Sequence, residues 1–202
     1  MKFYLDTVSF TEIREIARLG ILDGIAINAS LFTEQGLNFY QRIREICRDM
    51  DGPISVGLLS IEEEAIVKEG KELAKIHRNI MVKCPLTPAG LKATKRLTAA
   101  GIQVNVSLCF SLTQALIAAK AGAWCVSLCL DRTGDCQSKW QVRTRQDVTR
   151  QIVTVFRNYG ISTRVLLAGI RSPQEVLESA LAGVHICTIR FAMFHQLFDP
   201  AL

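Results

Sequence analysis

The residue in this sequence whose setting most suggests chemistry is a lysine between an apolar run and a proline, in Asn79-Ile80-Met81-Val82-Lys83-Cys84-Pro85-Leu86-Thr87-Pro88. Ile80 to Val82 read as a short buried strand, and Pro85 is expected to stop it because a proline cannot donate to a sheet ladder. Pro88 then opens a helix with Thr87 as its N-cap. Lys83 therefore falls at the C-terminal end of a buried strand. A solvated lysine keeps its proton at neutral pH and cannot attack a carbonyl. Desolvation lowers its pKa, and the neutral amine can then form a Schiff base. The plain alternative is an ammonium that snorkels to water.

Alternation along strands supplies partners for that amine. If Lys83 faces inward, so does Met81, while Ile80 and Val82 face away. On an earlier strand Tyr4 and Asp6 share one face, on the next Ala26 and Asn28, and on a later one Gln103, Asn105 and Ser107. Each of these strands carries its aliphatic residues on the opposite face. Asp6, Asn28, Lys83, Asn105 and Ser107 together suit Schiff-base chemistry. They supply an amine, a carboxylate to move protons, and amides and a hydroxyl to hold substrate hydroxyls. Taken singly, Asp6 and Asn28 also read as turn residues, and Asn105 and Ser107 as satisfied core polar groups.

The elements that must position these residues alternate along the whole chain. Strands are expected at Phe3–Leu5, Gly24–Asn28, Pro53–Leu59, the Lys83 strand, Ile102–Leu108, Trp124–Leu130, Arg164–Ala168 and His185–Ile189. The first is followed by a helix to about Leu19 that opens with a capping box, Ser9 with Glu12. Later helices read as Gly36–Asp49, Ile61–Ile76 capped by Ser60, Pro88–Ala100, Ser111–Ala121, Arg143–Tyr159, Ser172–Ala182 and Phe191–Phe198. Eight strand–helix units without a boundary point to a closed (β/α)8 barrel formed by residues 1–202 as one domain. An open doubly wound sheet would place a glycine-rich loop after its first strand. Here that position reads Asp6-Thr7-Val8-Ser9.

Composition limits the partners. The 202 residues are 49% hydrophobic and 21% charged, which suits a globular domain with a sizeable core. The net charge of +5 is spread along helices, as solvated faces would be, and it also fits an anionic substrate. Nothing resembles a nucleic-acid-binding arm or stacking platform, and no apolar run approaches membrane-spanning length. The seven cysteines form no CxxC pair, and most lie in apolar runs where a thiol behaves as a small hydrophobe. No signal-peptide pattern is read in Lys2-Phe3-Tyr4-Leu5-Asp6, so a reducing cytoplasm is expected. The reading calls for no cofactor and no metal.

A further set of motifs runs over essentially the whole chain. It comprises Leu5-Asp6-Thr7, Leu22-Asp23-Gly24-Ile25, Asp51-Gly52-Pro53-Ile54-Ser55-Val56, Val82-Lys83-Cys84-Pro85-Leu86-Thr87 with Gly90-Leu91-Lys92-Ala93, Gln114-Ala115-Leu116, and Ala118-Ala119-Lys120-Ala121-Gly122. In order and spacing it resembles the small transaldolases and the related fructose-6-phosphate aldolases, with Asn105 closer to the transaldolase branch. The resemblance implies a (β/α)8 barrel with Lys83 as the Schiff-base lysine and Asp6 as acid/base. It implies that Asn28, Asn105 and Ser127 contact substrate, and that Ser107 stands where a threonine helps hold the catalytic water. Arg132 and Arg171 match arginines that bind the substrate phosphate. A sugar-phosphate substrate and a homo-oligomer follow from the same resemblance.

The departures are as specific. Ala26-Ile27-Asn28-Ala29 stands where the family has Thr-Thr-Asn-Pro. Gly57 replaces a glutamate or glutamine that orients the catalytic water, Cys129 replaces an aromatic residue, and Gly169 replaces a phosphate-binding serine. Gly169 is expected to leave a backbone N–H that phosphate could approach. The family's C-terminal helix is expected to be largely missing after Leu202. Two function classes follow. One is a Schiff-base enzyme that transfers a dihydroxyacetone unit or makes and breaks aldol bonds, with activity reduced by the departures. The other is a catalytically impaired descendant that binds a phosphorylated metabolite or a protein partner.

Overall fold

The computed structural model describes residues 1–28, 38–129 and 144–199. Its strands are β1 (Lys2–Asp6), β2 (Gly24–Ile27), β3 (Ile54–Gly57), β4 (Ile80–Pro85), β5 (Val104–Cys109), β6 (Cys125–Leu128), β7 (Arg164–Ile170) and β8 (Ile186–Ile189). All pair in parallel with their sequence neighbours, and β8 closes on β1. Around them lie α1 (Phe10–Arg18), α2 (Phe39–Asp49), α3 (Glu63–Ala74), α4 (Pro88–Ala99), α5 (Leu112–Lys120), α6 (Arg145–Asn158), α7 (Pro173–Ala182) and α8 (Phe191–Gln196). The (β/α)8 barrel read from the alternation is the fold. Among the described residues no helix is long and apolar enough to cross a membrane.

Period-2 alternation produces two separate apolar layers. Outward strand residues such as Leu5, Ile25, Ile54, Val82, Val104 and Val126 pack with helix residues such as Ile13, Ile43, Ile66 and Leu97 in one large cluster. Inside the barrel, Tyr4, Met81, Cys125, Leu166 and Ile186 form a small cluster of their own. It is a floor. Two positions further along each of these strands stand Asp6, Lys83, Ser127, Ala168 and Thr188, which line the cavity above it. The floor also explains Gly24, the register partner of Tyr4. A Cβ there would lie 2.6 Å from the Tyr4 ring and 2.6 Å from the Pro53 carbonyl oxygen, so any side chain would displace the largest group of the floor.

Three local expectations are corrected. β4 runs through Pro85 instead of stopping before it. Val82 and Leu86 donate to Gln103 and Ser107 on the β5 side. By alternation Pro85 turns its nitrogen toward β3, which has ended at Gly57, so the missing donor costs no rung. The capping box of α1 is only half formed. Ser9 accepts from the Glu12 N–H at 3.5 Å, but the Glu12 carboxylate takes the Thr7 hydroxyl at 2.5 Å. Helix α3 begins at Glu63, and Ser60 does not cap it. The Leu59 and Ser60 N–H groups donate instead to the Glu69 carboxylate at 3.0 and 2.9 Å, which pins the β3–α3 loop over the barrel mouth. Thr87, by contrast, caps α4 as read, accepting from the Gly90 N–H at 3.0 Å with Pro88 in the first turn.

Two bulges shape the C-terminal rim, where one strand uses three steps against its neighbour's two. On β5 the extra residue falls between Val106 and Cys109, and Leu108 there takes a φ of 64°. On β7 it falls between Leu167 and Ile170, and Gly169 takes a φ of 70°. A left-handed backbone is what glycine tolerates best, which gives Gly169 a structural reason for its identity. Leu108 has no such licence, and its side chain is turned out to the cavity rim.

Candidate active site

Lys83 points into a cavity of about 500 Å³ at the C-terminal end of the barrel. Its ammonium donates to the Asn28 side-chain oxygen, and the Asn28 amide donates to the Asp6 carboxylate at 3.1 Å. Three strands, β4, the end of β2 and β1, thus meet in one chain of contacts: lysine, amide, carboxylate. The turn readings of Asp6 and Asn28 give way to it. Protein surrounds Lys83 on every side but the cavity, and desolvation pushes its pKa down, opposed by the charge of Asp6. Desolvation pushes the Asp6 carboxyl up, opposed first by Lys83 and then by Arg190. The two pKa values are drawn toward each other, so both groups come closer to giving and taking protons near neutrality. The neighbouring Cys84 is no rival nucleophile, because burial raises its thiol to about 12.

A second polar group lies on β3 and β5, the strands that flank the lysine's own, and on β6. Ser127 donates to the Asn105 side-chain oxygen at 2.8 Å, and the Asn105 amide donates to the Ser55 hydroxyl at 3.0 Å. Asn105 is the register partner of Lys83, so this chain lies at the level of the amine. Both Asn105 oxygen and nitrogen are engaged, which fixes the amide's orientation. Ser107 lines the same cavity, but its hydroxyl donates to the Cys84 carbonyl at 3.2 Å.

The two arginines expected at the phosphate fare differently from the lysine's partners. Arg132 lies outside the described residues. Arg171 does not line the Lys83 cavity. It borders a neighbouring hollow of about 490 Å³ with Gly169, Arg190 and Gln196, and Gly169 belongs to both spaces. The expectation for the Gly169 N–H is corrected, since it already donates to the Thr188 hydroxyl at 3.0 Å. The Gly169 carbonyl is engaged as well, by the Arg145 guanidinium at 3.3 Å.

Comparison with known proteins decides the family. The profile described as Transaldolase/Fructose-6-phosphate aldolase matches residues 3–201. The chain belongs to the transaldolase/fructose-6-phosphate aldolase family. A probable transaldolase of Geobacter sp. (strain M21) is 45% identical over 197 residues, 98% of this chain and 90% of the relative. One of Clostridium tetani (strain Massachusetts / E88) is 45% identical over 202 residues, 100% of this chain and 92% of its own. Among solved structures, a 3-hexulose-6-phosphate synthase superposes with a TM-score of 0.66 at 16% identity, covering 100% of this chain and 95% of that one. At that identity the likeness speaks for the barrel alone.

Within this transaldolase-family barrel the departures have definite places. Gly57 is the register partner of Lys83 on β3 and lines the cavity, so a side chain there would project beside the amine. Cys129 stands on the cavity wall after β6. Three cavity or rim residues escaped the sequence reading. Ser55 shares the inward face of β3 with Gly57, and the alternation Ile54, Ser55, Val56 could have found it. Thr188 was hidden in the apolar run Cys187-Thr188-Ile189. Arg190 follows β8 directly, and only its position after a strand end marked it.

Proposed function

We propose that this protein is a transaldolase-like enzyme in which Lys83 forms a Schiff base with a ketose phosphate. The observation that carries the reading is the Lys83–Asn28–Asp6 chain of contacts at the barrel mouth. The neutral Lys83 amine attacks the ketose carbonyl carbon, and loss of water gives the protonated imine. Asp6 accepts the proton of the hydroxyl on the far carbon of the bond that breaks, so that this carbon becomes the aldehyde of the departing fragment. The bonding electrons pass into the imine and leave an enamine of the dihydroxyacetone unit on Lys83, while the remaining aldose phosphate departs. An acceptor aldehyde reverses these steps. Asn28 holds the amine and carboxylate in register, and Asn105, Ser127 and Ser55 offer hydroxyl and amide groups to the substrate's hydroxyls. Ser107 and a water are assigned to hydration and dehydration of the imine. Arg132 and Arg171 are assigned to the phosphate.

Borohydride reduction in the presence of dihydroxyacetone, followed by peptide mapping, is expected to place the adduct on Lys83. An adduct on another lysine, or none, would sink this reading. A second reading, a family member that binds a phosphorylated metabolite without turning it over, is favoured by Gly57 and by the Ser107 hydroxyl facing the Cys84 carbonyl. Trapped imine without product release would support it. We extend the proposal to a homo-oligomer, because Leu177 and Leu181, one turn apart on α7, are 53% and 74% exposed. Light scattering after size exclusion should give a multiple of the chain mass; a monomer would remove this part.

A further inference from the structure

Resting on the sugar-phosphate reading above, we propose that Arg190 is a specificity-determining residue. With Arg171 it would clamp the substrate's phosphate in the hollow at the ends of β7 and β8, beside the Lys83 cavity. Four observations converge on it. Arg171 and Arg190 both border that hollow of about 490 Å³, which brings two arginines to one space. Gly169 is shared with the Lys83 cavity, so the hollow adjoins the space into which the amine points. The polar groups of Gly169 are not available to an anion there: its N–H donates to Thr188 and its carbonyl accepts from Arg145. Glu175, four residues after Arg171, is also held, accepting from the Arg171 backbone N–H at 3.0 Å and lying 3.5 Å from the Arg145 guanidinium.

The position of Arg190 follows from barrel closure. Leu5 on β1 pairs with Ile189 on β8, so the next step of each strand sets Asp6 beside Arg190. The charge of Arg190 reaches the Asp6 carboxyl and lowers its pKa. One guanidinium therefore borders both the acid/base carboxylate and the hollow. A phosphate bound there would draw Arg190 toward itself, and planar forks suit its oxygens better than an ammonium does. The plain competing role for Arg190 is as a counter-charge to Asp6 alone.

The test uses inorganic phosphate, and fructose 6-phosphate against fructose as donors. Calorimetry on the parent should show phosphate binding, weakened about tenfold or more in both Arg190→Ala and Arg171→Ala. Arg190→Lys, which keeps the charge and loses the fork, should recover part of it. The ratio of kcat/KM for fructose 6-phosphate over fructose should fall by about the same factor in Arg190→Ala. If Arg190→Ala folds by circular dichroism, binds phosphate as the parent does and keeps the donor ratio, Arg190 serves Asp6 alone and the proposal fails. It also fails if the parent binds no phosphate. The Schiff-base reading is judged separately, by trapping dihydroxyacetone, which carries no phosphate. A missing adduct with Arg190-dependent phosphate binding overturns that reading and leaves this one standing.

Discussion

Lys83→Met is expected to lower turnover of a ketose phosphate by about 10⁴-fold or more and to abolish borohydride trapping, because Lys83 is the only amine among the described residues that line the cavity. The same variant carries a stability signature. The Lys83 pKa is lowered in the folded state from the ordinary value of 10.5. Between the lowered value and 10.5 the unfolded chain binds more protons than the native one, so this group makes stability rise with pH across that window. Below it, a buried ammonium weighs on the native state at full strength. Replacing the lysine removes the rise. Buried thiols such as Cys84 and Cys109, both raised to about 12, act in the opposite sense above the ordinary cysteine value of 9.0. The informative quantity is therefore the difference between parent and variant curves from urea unfolding at several pH values. Without Lys83, the Asp6 carboxyl loses the charge that most lowers its pKa and should titrate higher. Two parallel stability curves, or turnover within tenfold of the parent, would assign the chemistry to another residue.

What the sequence made legible was what depends on period. Alternation placed Asp6, Asn28, Lys83, Asn105 and Ser107 on inward faces, and the cavity lining agrees for all five. The same rule reached the eight-strand barrel, because outward aliphatics on every strand demand a surrounding layer of helices. What it missed depends on contacts between elements. Whether Glu12 would close a box with Ser9 was a local inference, overruled by a hydroxyl at Thr7. The start of α3 was set by Glu69, nine residues along the chain from Ser60. Arg190 acquired its place only when β8 closed on β1, a pairing across almost the whole chain. Gly169 looked like the loss of a hydroxyl and the gain of a free N–H. The bulge on β7 shows instead a left-handed residue whose N–H is already bonded.

The last expectation concerns Gly57. The reaction needs a water to be delivered to the imine and removed from it, and the groups expected to hold that water are compromised. Ser107 donates to the Cys84 carbonyl, and Gly57 offers no side chain at all. Yet the register sets residue 57 level with Lys83 on the cavity side. A glutamate introduced there would project beside the amine, within reach of the atoms to be hydrated. A positioned proton-transfer group typically contributes about 100- to 10,000-fold, so Gly57→Glu is expected to raise kcat by about 100-fold with little change in donor affinity. The new carboxylate would also attract the Lys83 proton and raise its pKa, shifting the rising limb of the kcat/KM profile to higher pH. Both readouts come from one set of pH–rate profiles, with Gly57→Gln as the uncharged control that holds water but moves no proton. A parent that already turns over rapidly, and slows when the glutamate is added, would mean that the Ser55–Asn105–Ser127 wall holds the water instead. In that case the glycine would be part of a working site rather than a gap in it.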